Sequence, residues 1–216
     1  MPINKCGSDH KRINEEIFTM QKIIIDTDPG IDDANAILLA LAHPQTEVVA
    51  ITAVSGNVGI EHTSRNALAI LEVAQANHVP VFAGSDGTFV LPGPFAAHVH
   101  GDDGLGNAGL PAPSRTAEPE HAATALIRLA NEQPGELPLV TLGPLPTVAT
   151  ALKLDATLPS KFAKLVCMAG AVTAQGNVTP TAEFNVYADP EAAHVVFAAW
   201  PEFTIVDWDA TVRHAI

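Results

Sequence analysis

The feature that most limits the possible folds of this chain is a regular alternation of short apolar runs with helical patterns. Six runs have the composition of buried strands: KIIID, EVVAITAVSG, VPVFAG, LPLVTLG, KLVCMAG and FTIVDW. Five other segments have helical spacing or helix-boundary signals: DDANAILLALA, GIEHTSRNALAILEVAQAN, PEHAATALIRLANEQ, LPTVATALKL and DPEAAHVVFAAW. Strands separated by single helices connect through right-handed crossovers. The sequence therefore predicts an α/β fold with a mostly parallel, doubly wound, Rossmann-like sheet that is covered by helices on both faces.

The length of 216 residues predicts a single domain, because a chain of this size buries one sizeable core. Residues 1–20 lack the apolar region of a signal peptide and precede the first strand pattern. We expect residues 1–20 to be a poorly ordered N-terminal extension and residues 21–216 to form the α/β domain. Residues 85–118 are rich in Gly, Pro, Ser and Asp and predict a long loop, which in a compact domain is usually functional or disordered.

The charge of the chain argues against two classes of partner. The formal net charge is −13 and the sequence pI is near 4.9, which argues against binding to nucleic acid or to an anionic membrane surface. No apolar run is long enough to span a bilayer. Cys6 lies in the N-terminal extension and Cys167 in an apolar run, so we expect no disulfide and a reducing, cytoplasmic location.

Unusual polar residues follow several of the predicted strands. Asp26 and Asp28 follow the first strand, Asn57 follows the second, and His100 lies in the long loop after the third. In parallel sheets, ligands bind just beyond the carboxyl ends of the strands. These side chains are therefore expected to converge on one cleft.

Four aspartates lie close together between residues 26 and 33, and no lysine or arginine occurs between Lys22 and Arg65. The positive end of a helix would explain Asp32 or Asp33 as a cap, but it does not explain all four. Carboxylate oxygens without nearby Cys or His suit calcium or magnesium. The negative charge of the four aspartates could still be compensated by a metal ion, by the helix terminus or by solvent.

Five motifs occur in an order that resembles one enzyme family: DTDPGIDDA, SGN, HVHGDDGLG, TLGPL and MAGAVTAQGNVTPTAEFNVYADPEAA. Together they resemble the inosine–uridine-preferring nucleoside hydrolases, and the resemblance runs from about Lys22 to the end of the chain. It implies hydrolysis of the N-glycosidic bond of purine or pyrimidine ribonucleosides to ribose and free base. The resemblance also implies Ca2+ as cofactor, which holds the ribose diol and the attacking water, and a homo-oligomer, either a dimer or a tetramer.

The resemblance assigns roles around the aspartates. Asp28 and Asp33 would be carboxylate ligands of the calcium ion, and Leu142 would contribute its main-chain carbonyl. Asp32 would be the catalytic general base that takes a proton from the calcium-bound water. Asp26 would lie behind the metal ligands and support them.

The same resemblance implies residues that bind the nucleoside or order the metal ligands: Asn57, His100, Met168, Asn177, Glu183 and Asn185. Asn177 and Glu183 would hold the 5′-hydroxyl, and Met168 would lie beneath the sugar. Alternatives from the residues alone stay open, since Asn177 could serve a turn and Glu183 could face solvent.

The chain departs from the family pattern at three positions near the expected cleft, which are Pro146, Thr147 and Ala169. Family chains also continue into a C-terminal segment with a His–Asp pair, in which the His helps the base leave and the Asp binds calcium. We therefore expect this chain to correspond to the N-terminal two-thirds of a nucleoside hydrolase, truncated at the C-terminus, with His214 not replacing the missing acid.

Two functional hypotheses follow from that length. The chain is either a nucleoside hydrolase, which we expect to be poorly active without a genomic continuation, or a catalytically weak calcium- and ribose-binding remnant. A phosphotransferase that uses Asp26 as nucleophile is disfavoured, because Pro29 and Gly30 follow the D-x-D motif where that chemistry usually has Gly then Thr.

Overall fold

The computed structural model describes residues 20–173 and 175–214. The predicted N-terminal extension lies outside these residues except for the exposed Met20, which precedes the first strand. Among the helices in these two ranges, none is long and apolar enough to cross a membrane.

The described residues contain one sheet of six strands. Its strands are β1 (Gln21–Thr27), β2 (Thr46–Ala53), β3 (Val81–Ala83), β4 (Pro138–Thr141), β5 (Lys164–Met168) and β6 (Thr204–Val206). Their order across the sheet is β3-β2-β1-β4-β5-β6, and each neighbouring pair is parallel. The predicted α/β fold is confirmed, and within this part of the chain the sheet is wholly parallel.

Eight helices and one 3-10 turn surround the sheet in the described part of the chain. They are α1 (Ile31–Ala42), α2 (Ile60–Val73), α3 (Ala97–His100), α4 (Ala122–Glu132), α5 (Pro146–Leu154), α6 (Phe184–Ala188), α7 (Pro190–Ala199), α8 (Trp208–His214) and the 3-10 turn Leu158–Ser160. The five predicted helices are confirmed as α1, α2, α4, α5 and α7. Helices α3, α6 and α8 were not predicted, because they have only 4, 5 and 7 residues and are too short to show a helical repeat.

The sheet separates two apolar layers. Ile24 and Ile25 are consecutive in β1 and point to opposite faces, because side chains alternate along a strand. Ile24 packs in a cluster with buried residues of α4, α5 and α7, whereas Ile25 packs with residues of α1 and α2. Helices therefore cover both faces, as a doubly wound sheet requires.

The strand order places a crevice beside β1. The connections from β1 proceed to β2 on one side, and β4 begins the second half of the sheet on the other side. The loops after β1 and β4 therefore diverge at this point, which is the usual ligand-binding position of such sheets.

Candidate active site

The loop between β1 and α1 is closed by hydrogen bonds to Asp33. Its Oδ2 accepts a 2.9 Å bond from the Gly30 amide, and its Oδ1 accepts a 2.6 Å bond from the Thr27 hydroxyl. Gly30 is the N-cap of α1, so Asp33 satisfies a free amide at the helix start. The capping role that the sequence allowed for an aspartate at this position therefore belongs to Asp33.

Asn57, which follows β2, contacts both expected metal carboxylates. Its main-chain amide donates to Asp28 Oδ2 at 2.7 Å, and its side-chain amide donates to the Asp28 carbonyl at 3.0 Å. The same Nδ2 lies 3.3 Å from Asp33 Oδ2. Asn57 is buried, so these bonds are shielded from water and fix the orientation of two carboxylates.

Two glycines make room for the Asp28 carboxylate. A Cβ added at Gly56 or at Gly143 would lie 2.8 Å from Asp28 Cγ and closer still to its oxygens. Any side chain at either position would therefore collide with the carboxylate. Sequence reasoning named neither glycine as a site residue, although both lie in quoted motifs, SGN and TLGPL.

Burial raises the pKa of three of the four aspartates, Asp26, Asp28 and Asp33. Burial, and then the nearby charge of Asp33, raise the pKa of Asp28 well above its ordinary value. Burial, and then the charge of Asp32, raise the pKa of Asp33. Burial also raises the pKa of Asp26 to about 7, although Asp26 accepts a 2.5 Å bond from the Thr52 hydroxyl. Two adjacent buried carboxylates that repel each other form an environment in which a cation is favourable.

The expected metal ligands comprise two carboxylates and one carbonyl. The Leu142 carbonyl lies at the end of β4 and accepts a 2.7 Å bond from Asn185 Nδ2. Across residues 20–173 and 175–214, no three His, Cys, Asp or Glu side chains gather closely enough to form a metal site by themselves. The oxygen chemistry of Asp28, Asp33 and Leu142 fits a hard cation, but these three residues supply only part of the six to eight oxygens that calcium prefers.

Asp32 differs from its neighbours because its side chain is 83% exposed. His100 lies in the short helix α3 rather than in a loop, which corrects the prediction for its local structure. Its Nδ1 accepts a 3.2 Å bond from the Ile31 amide and lies 3.8 Å from Asp32 Oδ1. Since Nδ1 is the acceptor, the ring proton resides on Nε2 and His100 does not donate to Asp32 through Nδ1.

Glu183 is buried, with 1% of its surface exposed, so the solvent-facing alternative is wrong. Its Oε1 accepts from the Asn185 amide at 2.8 Å, and its Oε2 accepts from the Gly170 amide at 2.8 Å and the Val186 amide at 3.2 Å. Burial raises the pKa of Glu183 even though these bonds lower it. Glu183 therefore caps α6 and joins it to the end of β5.

The remaining predicted residues divide into two groups. Asn185 Nδ2 donates to the Leu142 carbonyl and, at 3.0 Å, to the Met168 carbonyl, so these three residues meet where β4 and β5 end. Asn177 is exposed, and its Oδ1 accepts a 2.8 Å bond from the Phe184 amide. The turn-forming alternative for Asn177 thus describes its observed contact, and its contact with a 5′-hydroxyl stays a prediction.

The three departures from the family pattern lie within the framework of the site. Pro146 is at the start of α5, a position that favours proline. The Thr147 hydroxyl accepts a 3.0 Å bond from the Ser85 amide after β3, and Ala169 is buried next to β5. These substitutions therefore contribute to packing and loop attachment.

The comparisons with known proteins decide the family. The sequence model described as inosine-uridine preferring nucleoside hydrolase matches residues 23–216. The chain belongs to this family. Its members are metal-dependent hydrolases that act on N-glycosyl bonds.

Individual nucleoside hydrolases resemble the chain closely. Uridine nucleosidase 1 of Arabidopsis thaliana is 44% identical over 194 residues, which is 89% of this chain and 58% of the relative. The inosine-uridine preferring nucleoside hydrolase of Leishmania major is 40% identical over 193 residues, covering 88% of this chain and 61% of the relative. The chain thus spans about three-fifths of the length of these two relatives.

Solved structures of nucleoside hydrolases share the fold. A plant nucleoside hydrolase matches with a TM-score of 0.85 and 41% identity over 88% of this chain and 60% of that structure. A purine-preferring ribonucleoside hydrolase from Gardnerella vaginalis matches with a TM-score of 0.86 and 34% identity, over 89% of this chain and 62% of that structure.

Proposed function

We propose that the protein is a ribonucleoside N-ribohydrolase that cleaves purine or pyrimidine ribonucleosides to ribose and free base. Membership of the nucleoside hydrolase family supports this reaction class. The observation that carries the proposal is the pair of buried carboxylates, Asp28 and Asp33, beside the exposed Asp32 at the sheet crevice. Cleavage of a glycosidic bond builds positive charge on the sugar, and a ring of carboxylates stabilises that charge.

Calcium is the ion that we propose for the site. Asp28 and Asp33 would hold the ion with their carboxylates, and Leu142 would hold it with its main-chain carbonyl. The Asn185 side chain donates a hydrogen bond to that carbonyl and therefore lies beside the proposed ion position. A bound divalent cation would offset the carboxylate repulsion and lower the pKa of a coordinated water. Asp28, Asp33 and Leu142 would supply part of the six to eight oxygens that calcium prefers.

Asp32 is proposed as the general base that accepts a proton from the attacking water. Its side chain is 83% exposed, unlike the buried carboxylates of Asp28 and Asp33, so a water molecule and a substrate can reach it. A positioned carboxylate base typically contributes about 10² to 10⁴ in rate. His100 would present its Nε2–H to the nucleoside, because its Nδ1 is used by the Ile31 amide.

The ribose is proposed to lie against Asn57, Asn185 and Met168, with Asn177 and Glu183 near its 5′-hydroxyl. Asn57 and Asn185 already contact the expected ligands of the ion. The same two residues would therefore orient the ligands of the ion and hydrogen-bond the ribose hydroxyls. A site built to hydrogen-bond a hydroxyl discriminates against substrates that lack it, because buried polar groups are then unpaired. We therefore propose a preference for ribose over 2′-deoxyribose.

The test is ribose release from inosine, uridine and 2′-deoxyuridine, with and without a calcium chelator. The proposal predicts release from the ribonucleosides, little from the deoxynucleoside, and loss of release with chelator. Calcium and ribose binding without any turnover would favour the second candidate, a calcium- and ribose-binding remnant. That candidate is supported by residues 20–173 and 175–214, in which no three His, Cys, Asp or Glu side chains gather into a metal site and the expected ligands are two carboxylates and one carbonyl.

We further propose a homo-oligomer and a cytoplasmic location. The family resemblance supports the oligomer, and the low number of cysteines, with Cys167 buried and unpaired, supports a reducing compartment. Light scattering after size-exclusion chromatography tests the first proposal, and fluorescence microscopy of the tagged protein in its native cells tests the second.

A further inference from the structure

Asn66 is a buried amide in α2 that bridges two loops of the site. Its Nδ2 donates to the Pro29 carbonyl at 3.1 Å and to the Asp103 carbonyl at 2.8 Å. We propose that Asn66 is a positioning residue that holds His100 against the aspartate loop. This inference rests on the proposed function only in naming the reaction that His100 serves.

The first contact of Asn66 is with the aspartate loop. Pro29 lies between Asp28 and Gly30, and its carbonyl precedes α1, where no helical amide needs it. A carbonyl in a buried loop needs a donor, because leaving it unpaired is costly. Asn66 supplies that donor from a helix on the same side of the sheet.

The second contact is with a loop that is closed upon itself and contains His100. Asp103 Oδ1 accepts from the Leu105 amide at 2.8 Å and from the Asn107 amide at 2.9 Å. The Gly106 amide also donates to the His100 carbonyl at 2.6 Å. Since these bonds join residues 100–107 into one unit, fixing the Asp103 carbonyl also fixes His100.

Gly104 allows the approach of Asn66 to this loop. Its φ of +82° is in the left-handed region that favours glycine, and a Cβ there would lie 2.8 Å from Asn66 Nδ2. The loop backbone is thus shaped around the Asn66 amide. At the other end of α3, the Ala96 amide donates to the Asn57 carbonyl at 2.9 Å, so α3 is anchored on both sides.

The consequence concerns the tautomer of His100. The 3.2 Å bond from the Ile31 amide to His100 Nδ1 keeps the proton on Nε2. That bond joins the two loops that Asn66 connects, and it is exposed and relatively long. Without Asn66, the loops are free to separate and the ring loses the donor that selects its tautomer.

The experiment is ¹⁵N NMR of the histidine rings at about pH 8, where a histidine of ordinary pKa is neutral. His100→Gln assigns the resonance, and wild type is compared with Asn66→Ala and with Asn131→Ala, an exposed asparagine in α4 that serves as control. The proposal predicts one Nε2–H tautomer in wild type and in Asn131→Ala, and mixed tautomers in Asn66→Ala. Unchanged His100 shifts in a folded Asn66→Ala protein overturn it.

A second measurement needs no variant. The side-chain amide protons of Asn66 in wild type should exchange with solvent at least about tenfold more slowly than those of Asn131, because the Asn66 side chain is buried and both of its hydrogen bonds are at least partly buried. Equal exchange rates overturn the proposal, even if Asn66→Ala does not fold.

Kinetics adds a separate outcome. Asn66→Ala should lower kcat for ribose release about tenfold or more while KM changes less, since misplacing one group mainly affects the reacting geometry. A tenfold rise in KM at unchanged kcat contradicts the positioning role. Failure of wild type to release ribose contradicts the proposed function, and the NMR measurements still decide the role of Asn66.

Discussion

The main-chain amide of Asn57 donates a 2.7 Å hydrogen bond to Oδ2 of Asp28. This bond joins the loop after β2 to the loop after β1, and it orients a carboxylate that is buried against Gly56 and Gly143. Because main-chain geometry sets the bond, the Asp28 carboxylate is positioned before any ligand arrives. The geometry of the expected ion site therefore depends on close backbone packing as much as on the acidic residues.

Gly143→Ala tests that packing. The added Cβ would overlap the Asp28 carboxylate and rotate it, so calcium affinity should fall about 10- to 100-fold, the usual range for disturbing a ligand's support. Gly59→Ala is the matched control, because a Cβ at Gly59 meets no atom within 4 Å. Calorimetry on both variants decides the point, and equal calcium affinities would show that Asp28 does not hold the ion.

Asp33→Ala tests the second carboxylate. The variant removes a proposed calcium ligand and the bonds to Thr27 and Gly30, so calcium binding by calorimetry should be lost or greatly weakened. Asp86→Ala, at an exposed loop position, should bind calcium as wild type does. Unchanged calcium affinity in a folded Asp33→Ala protein would show that Asp33 is not a calcium ligand.

Asp32→Asn tests the general base. The substitution keeps the size of the side chain and removes its basicity, so kcat should fall at least about a hundredfold while KM changes much less. Steady-state ribose release from uridine and inosine provides both constants. Turnover near that of wild type would mean that Asp32 is not the base and only interacts with the positive N-terminal end of α1.

The ion pair of Asp155 and Lys161 predicts a pH dependence of stability. The Lys161 ammonium, and then Thr157, lower the pKa of Asp155 from 3.8 to about 2. A carboxyl with a lowered folded-state pKa stabilises the fold above its ordinary pKa, and this contribution disappears as the pH falls from about 4 to about 2.

Urea unfolding of wild type and Asp155→Asn measures that contribution. Solvent screening limits the difference near pH 6 to on the order of 1 kcal/mol, and the difference should shrink toward zero near pH 2. A difference in unfolding free energy that stays constant over this range would show that the charge of Asp155 does not stabilise the fold.

The order of strands and long helices could be predicted because each has a local signature. Ile24 and Ile25 lie in a continuous apolar run, which is typical of a strand buried on both faces, and Ile37 lies on a helical apolar stripe. The convergence of Asp28 and Asn57 also followed from their places at adjacent strand ends. Helix α6 could not be predicted, because its five residues are held by the Glu183 cap and its contacts rather than by a repeat.

The parts of the site that the sequence did not reveal depend on long-range contacts of the backbone. Asn66 bonds to carbonyls 37 residues away in both directions, and no local pattern encodes which carbonyls need a donor. Gly143 leaves room for the Asp28 carboxylate, which the end of β1 places against it. Glu183 was identified from its motif, but its three amide partners depend on how α6 meets β5.

The most direct test of the account is the rate of ribose release as a function of free calcium concentration, with uridine and inosine as substrates. If Asp28 and Asp33 hold the ion that the reaction needs, the rate will rise from near zero in chelator to a plateau. Its midpoint will then agree with the calcium dissociation constant from calorimetry on the same protein and substrate. Ribose release that does not depend on calcium, or a midpoint far from that constant, would contradict a calcium-dependent nucleoside hydrolase site at these residues.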